Sequence, residues 1–254
     1  MRRFCAALGF LTVLPLPGVC RHTERDLMGS VPFFPLAGLL IGLSAAGLAL
    51  ALDGVLPTLV LSVFLVGWLA MVHGGLHLDG LADTADGFLS PHGRERVLDI
   101  MRDSHIGAFG VLAMGGVLAL KAAAIASLPR ESLVGAVLLA PLMGRCAMAP
   151  MLDFLPPARS DGLGHLFSRW IYSRALERGI RWRLIVESMM AIAILLGAGW
   201  FVAGYQGLTA GIAAMITVVL FGDWCRRRIG GRTGDTVGAA SELGEAVVLV
   251  VFCL

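Results

Sequence analysis

About seven stretches of 18 to 22 mostly apolar residues, at 31–52, 57–74, 106–127, 132–151, 187–204, 207–225 and 237–254, dominate this chain. Roughly 20 apolar residues cross the hydrocarbon core of a bilayer as a helix. Inside lipid a backbone must satisfy its own hydrogen bonds, which leaves helices or closed barrels as spanning structures. The expected fold is therefore all-α: a polytopic integral membrane bundle of about seven helices in one domain, residues 1–254. A soluble globule is excluded, because only 15% of the residues are charged, against roughly 25% in soluble domains. Gly38 and Gly42, four residues apart, predict a close helix–helix approach. The first apolar run, Phe4 to Val19, is broken by Pro15 and Pro17. It reads as a retained interfacial or re-entrant segment, with no small-residue cleavage site to make it a signal peptide.

Charge fixes the orientation. Alternate loops collect Arg2, Arg3, Arg21, Arg25, Arg94, Arg96, Arg102, Arg159, Arg169, Arg174, Arg178, Arg181, Arg183, Arg226, Arg227, Arg228 and Arg232, whereas the opposite set holds only Arg130. Cytoplasmic loops are the ones that collect Lys and Arg, so the 75–105, 152–186 and 226–236 loops and the amino terminus are expected in the cytoplasm. The net charge of +2 hides this one-sided excess. It suits anionic headgroups or a phosphorylated substrate, and no nucleic-acid partner is expected. The arginines at 169–183 read as an amphipathic surface helix on anionic lipid, with Asp161–Gly164 able to shape a lid. The cysteines Cys5, Cys20, Cys146, Cys225 and Cys253 form no C-x-x-C pair, so neither a disulfide framework nor a thiolate metal site is expected.

The 75–105 loop is the richest in chemistry. Asp79, Asp83 and Asp86 lie four and three residues apart, which on a helix places all three carboxylates within about 60° of one face. Such like charges repel unless solvated or neutralised, and all-oxygen ligation suits a hard ion, Mg²⁺ or Mn²⁺. After the turn at Ser90–Gly93, Asp99 and Asp103 repeat the spacing of four and could face the first group; Asp99 could instead pair with Arg96 or Arg102. His73 and His77, also four apart, have the spacing of a helical zinc pair, but nothing in the sequence completes that motif. His77 is placed to hydrogen-bond a carboxylate or phosphate, and His73 reads as a satisfied histidine at a span end.

The loop from Gly230 to Gly234 is glycine-rich and carries Arg232, a plausible phosphate cradle that lacks the Lys-Ser/Thr ending of a Walker motif. Asp235, Glu242 and Glu245 follow at spacings of seven and three, again one helical face, with the two glutamates inside an apolar span. Acids there are functional candidates by default. Arg145, about 9 Å from the cytoplasmic end of its helix at 1.5 Å per residue, could hold a phosphate or pair with one of these acids. Lys121 lies nearer the outer face, where snorkelling is the ordinary reading. Carboxylates for a divalent ion, glycine-rich anion sites and arginines at one membrane face are what transfer of a phosphorus group requires.

The motifs Phe10–Pro17, Pro35–Gly42, Gly75–Gly87, Ile100–Gly110, Asp161–Gly164 and Gly230–Ala239 together resemble the cobalamin synthase family, over nearly the whole chain. Val13 departs from it, since relatives often carry Arg there. The resemblance implies the last joining step of vitamin B12 assembly: the ribose 3′-hydroxyl of α-ribazole, or of its 5′-phosphate, attacks the cobinamide-side phosphorus of adenosylcobinamide-GDP and GMP leaves. It also implies Mg²⁺ held by Asp79, Asp83 and Asp86, assisted by Asp103 and completed by Asp235, Glu242 and Glu245. Asp79, Asp83, Asp86 and His77 form the catalytic group, with Asp83 the simplest candidate for the base. Arg102 and Ser104 in the second acidic block, Arg232, Gly234 and Thr236 in the glycine-rich block, and Arg145 are the candidate substrate contacts. The expected location is a bacterial cytoplasmic (inner) membrane with the site on its cytoplasmic face, and self-association or association with other cobalamin-assembly enzymes is possible in principle.

Two other readings are open to the residues alone. A CDP-alcohol phosphotransferase also uses membrane-embedded aspartates, but its D-G-x-x-A-R signature fails, since Asp79-Gly80-Leu81-Ala82 is followed by Asp83 and Thr84. A transporter would use Glu242, Glu245, Lys121 and Arg145 to line a path, yet no pair of broken helices signals an inverted repeat.

Overall fold

A computed structural model describes residues 1–15, 20, 23–159 and 178–254, without the side chains of 178–181, 183 and 184. The expected arginine-rich helix and Asp161–Gly164 lie outside the described residues or side chains. Ten α-helices appear among the described residues: α1 (Arg2–Leu11), α2 (Glu24–Met28), α3 (Phe34–Leu52), α4 (Thr58–Val72), α5 (Leu76–Phe88), α6 (Arg94–Ile100), α7 (Ala108–Ser127), α8 (Arg130–Phe154), α9 (Arg178–Ile229) and α10 (Gly234–Val251). The chain is a multi-pass helical membrane protein.

Four helices are long and apolar enough to cross a membrane, or five if α4 and α5 count as one bent span. The expected count of about seven is not reached by that measure, which leaves out a short and an acidic helix and takes the folded-back α9 as one. Helix α4 has only 15 residues, and α10 carries three acids in 18. Helix α9 contains an apolar stretch of 45 residues, Ile185–Ile229, roughly 68 Å of helix at 1.5 Å per residue and too long for one crossing. It breaks at Ala203 and Gly204, where the backbone leaves helical geometry. The two limbs fold back so tightly that a Cβ on Gly199 would lie 2.4 Å from the Gly207 carbonyl oxygen. Trp200 and Tyr205 stack edge to face beside an outward-facing Phe201 at this bend, an aromatic group of the kind that seats at a bilayer interface.

Helices α8 and α10 form the axis of the bundle, each buried along most of its length. Gly38 and Gly42 let α3 approach α8 as the spacing predicts: their missing Cβ atoms would meet the Pro141 and Leu138 carbonyl oxygens at 2.7 and 2.2 Å. The amino-terminal helix α1 has ten residues, about 15 Å, and cannot span. Beyond it the Val13 amide donates to the Val72 carbonyl at 2.8 Å, docking the segment at the end of α4. One expectation is corrected here. Cys5 and Cys20 form a disulfide with Cα atoms 5.3 Å apart, because the chain returns to α1, a proximity that sequence spacing does not reveal.

The three arginine-rich loops meet at one end of the bundle. Arg94 donates to the Ile229 and Ala158 carbonyls at 2.7 and 3.1 Å, Arg159 donates to Leu98 O at 2.8 Å, and Arg228 donates to the carbonyls of Phe88, Ser90 and His92. Charge-assisted bonds to carbonyls are stronger than neutral ones, so these arginines fasten the loops to one another.

Candidate active site at the arginine-rich end

Two glycines make the site possible. Gly74 and Gly75 adopt φ of 62° and 72°, a left-handed conformation that side chains resist, and the chain turns 90° between α4 and α5. Helix α5 then runs antiparallel beside the first turns of α10. Gly80 touches Asp235, where a Cβ would sit 2.7 Å from the Asp235 carbonyl oxygen, and Gly238 touches His77, with a Cβ 3.1 Å from the His77 Cα. Glycine on α5 thus lets the Asp235 end of α10 sit against the helix that carries Asp79 and Asp83.

The Asp83 carboxyl feels this crowding. Its pKa is pushed up to about 7 by burial first, then by Asp235, Asp79 and Asp86, with Arg159 opposing. Arg159 lies 3.6 Å from Asp235. The donors gathered here are carboxylate oxygens, the set a hard divalent ion prefers. Asp86 is used differently: its two oxygens accept from the Gly107 and Gly110 amides at 2.7 and 2.8 Å. It caps the amino terminus of α7 and neutralises the positive end of that helix. The second acidic block lies beside Asp86, with Asp99 and Asp103 lining a cavity of about 340 Å³ together with Arg96 and His105. Asp103 is exposed and hydrogen-bonded to His105 at 2.6 Å, which lowers its pKa below the usual carboxylate value. Asp79, Asp83 and Asp235 do not line that cavity. Arg102 and Ser104 are exposed on the same loop.

In the glycine-rich loop, Gly230 has φ 78°, and Gly231 packs so closely on Pro156 that a Cβ would lie 2.1 Å from its carbonyl oxygen. Thr233 caps α10 and exchanges hydrogen bonds with Thr236 in a capping box. Thr236 is buried there, whereas Gly234 is exposed. Arg232 is 1% exposed and donates to the Leu152 carbonyl at 2.9 Å, tying the end of α8 to the loop. The phosphate-cradle expectation for Arg232 meets a structural clamp instead. A capping box is legible as Thr-x-x-Thr, and a guanidinium turned inward is not.

Glu242 and Glu245 lie deeper. Seven residues separate Glu242 from Asp235, about 10 Å along the helix, and the glutamates find cations where Asp235 finds carboxylates. Lys121 Nζ lies 2.6 Å from Glu242 Oε2 and 2.8 Å from Glu245 Oε2, and Arg145 pairs with Glu245. His73 Nε2 stands 3.3 Å from Glu242 Oε1 and its ring stacks on His77 with centroids 5.1 Å apart. All six side chains are buried. Lys121 therefore does not snorkel. The signal that could have found it is its own rarity, since a lysine within a span that also faces acids is a pairing candidate.

The structure divides the expected ligand set in two. Asp79, Asp83 and Asp235 form a carboxylate group at the arginine-rich end, the mouth of the site, and Glu242 and Glu245 are neutralised inside; Asp86, as the cap of α7, and Asp103, exposed on its loop, belong to neither. The family model described as cobalamin-5-phosphate synthase matches residues 3–253. Among curated relatives, a protein of Roseiflexus sp. (strain RS-1) named adenosylcobinamide-GDP ribazoletransferase is 40% identical over 98% of this chain and 88% of its own length. Relatives of that name from Geotalea daltonii and Klebsiella pneumoniae subsp. pneumoniae are 36% and 37% identical, over 98% of this chain and 96% and 98% of theirs. No solved structure matches.

Proposed function

This chain belongs to the cobalamin-5-phosphate synthase family, and from that premise we propose that it is the transferase that completes cobalamin, joining adenosylcobinamide-GDP to α-ribazole or its 5′-phosphate with release of GMP. The observation that carries the site assignment is the contact between Gly80 and Asp235, which gathers carboxylates of α5 and α10 on the side where the arginine-rich loops meet.

Asp79, Asp83 and Asp235 would hold Mg²⁺, which when bound supplies charge neutralisation for the pyrophosphate and the departing phosphate. The donors are carboxylate oxygens, the kind this ion prefers, and their crowding shows in the raised Asp83 pKa. The ribose 3′-hydroxyl loses its proton as its oxygen bonds the cobinamide-side phosphorus, and the bond from that phosphorus to the bridging oxygen breaks, so GMP carries the bridge away. Asp83, which is crowded by Asp235, Asp79 and Asp86, is the carboxylate we assign to take the proton. Asp86 positions α5 on α7, and Arg159, 3.6 Å from Asp235, offsets part of the negative charge. The exposed Arg102 and the amide end of α10 at Gly234 are the groups offered to phosphate. The arginine asymmetry supports an inner-membrane location with this end in the cytoplasm.

The deciding experiment incubates detergent-purified protein with adenosylcobinamide-GDP and α-ribazole, with and without Mg²⁺, and follows GMP and the corrinoid product. Magnesium-dependent formation of both is expected. Absence of product with either acceptor, from protein that remains folded, would overturn the assignment.

A further inference from the structure

Deep in the bundle a group of side chains is left over by the mouth chemistry. His73 ends α4, His77 lies in the first turn of α5 and Glu242 belongs to α10. Each offers one ligand atom, the three lying within 4.8 Å of one another, and all three residues are at most 4% exposed. Their hydrogen bonding is incomplete: His73 Nδ1, both ring nitrogens of His77 and Glu242 Oε1 have no hydrogen-bond partner. Buried imidazoles normally find partners, and a polar group in lipid surroundings without one is costly. Lys121 occupies Glu242 through Oε2 alone, so Oε1, 3.3 Å from His73 Nε2, remains for an ion.

We propose that His73, His77 and Glu242 bind a divalent transition-metal ion of the zinc class inside the bundle, separate from the carboxylates at the mouth. Two imidazoles and one carboxylate are a recognised zinc donor set. Imidazole favours zinc over magnesium, whereas the mouth offers oxygen only. Lys121 and Arg145 already balance Glu242 and Glu245, so the ion enters without a spare counter-charge and is expected to leave to a strong chelator. Its ligands come from both sides of the Gly74–Gly75 bend and from α10, so the ion pins that bend against α10, about two turns from Asp235. The site would thereby be structural, setting how α5 lies on α10.

The test measures metal content and does not depend on turnover. Full-length protein in detergent is stripped with chelator, reloaded with zinc sulfate, desalted and assayed by mass spectrometry for metal. About one zinc per chain is expected, with at least a tenfold fall in His77→Ala and no change in Asp83→Asn. Cobalt(II) added to the stripped wild type should give visible ligand-field absorption that zinc displaces, a readout that stands even if His77→Ala does not fold. Reloaded wild type with less than about a tenth of an equivalent of zinc and no cobalt spectrum would overturn the site. So would zinc retained in His77→Ala and lost in Asp83→Asn, which would place it at the mouth.

Discussion

Helix α10 presents acids to two regions with opposite electrostatic settlements. At the mouth, Asp235 meets Asp79 and Asp83, and the nearby cation, Arg159, stands 3.6 Å away. Two turns deeper, Glu242 and Glu245 are in contact with Lys121 and Arg145. The residues occupy one face of one helix, so spacing cannot distinguish them; the partners supplied by α5, α7 and α8 do. Carboxylates crowded together at a surface retain electrostatic free energy that a cation can release. Carboxylates already paired in the interior have used theirs to hold helices together. Charge removal should therefore harm the fold inside and the chemistry outside.

The largest effect is expected inside. Glu245→Gln leaves Arg145 and part of the Lys121 ammonium without their counter-charge. Breaking a buried pair by removing one partner costs about 3–5 kcal/mol. The readout is the thermal midpoint of the protein in detergent, with yield from membranes as a second measure. A midpoint unchanged from wild type would mean that the interior pairs are not structural and that the two regions are alike.

At the mouth the opposite pattern is expected. Asp83→Ala should lower turnover by at least about a hundredfold, since even indirect support of a metal ligand is worth 10- to 100-fold. Its thermal midpoint without metal should match or exceed that of wild type, because the substitution relieves repulsion. Turnover within tenfold of wild type at saturating Mg²⁺ would remove Asp83 from the site.

How much of this was legible in the sequence follows from the same contrast. Helical periodicity showed that Asp79 and Asp83 share a face, and hydropathy found both limbs of α9, which break at Ala203 and Gly204. Gly38 and Gly42 were legible as a packing pair because four-residue spacing of glycine has one main use in a membrane. The role of Asp86 as a cap for α7 was hidden, because the amides of Gly107 and Gly110 lie 21 and 24 residues away. Lys121 lies 121 and 124 residues from its partners, so its rarity within a span could mark it for pairing but only the tertiary fold names the partners. The Cys5–Cys20 bridge and the inward turn of Arg232 belong to the same class of fact.

The boundary between the two regions is itself open to test. Gly80 is where α5 and α10 touch, and a Cβ there would lie 2.7 Å from the Asp235 oxygen and 2.9 Å from its Cα. Both contacts are backbone, so α5 must shift in Gly80→Ala. Overpacking of this kind costs about 1–3 kcal/mol. The Mg²⁺ concentration for half-maximal turnover should rise severalfold as Asp79 and Asp83 withdraw from Asp235, with the interior pairs intact. Gly47→Ala, which meets no atom within 4 Å, is the control. Equal metal dependence in the two variants would show that the α5–α10 contact does not set the site.

The smallest expected effect is the pH dependence of stability without divalent ions. The Asp83 pKa is raised from the ordinary aspartate value of 3.8 to about 7 in the fold, by burial first and then by its carboxylate neighbours. The folded state therefore holds a proton that the unfolded chain releases between those values. Stability from this group should fall as pH rises from about 4 to about 7 and level off above, where the ionised form bears the full repulsion. Solvent around the half-exposed carboxyl mutes the effect, so the thermal midpoint should decline by a few degrees at most. Asp83→Asn should flatten this part of the profile, and Mg²⁺ should raise the midpoint most above pH 7, where the carboxylate is free to bind it. The interior pairs carry no equivalent prediction for Mg²⁺, because their acids already have Lys121 and Arg145. A Mg²⁺ shift that is the same in Asp83→Asn as in wild type would move the ion away from the mouth and dissolve the distinction between the two regions.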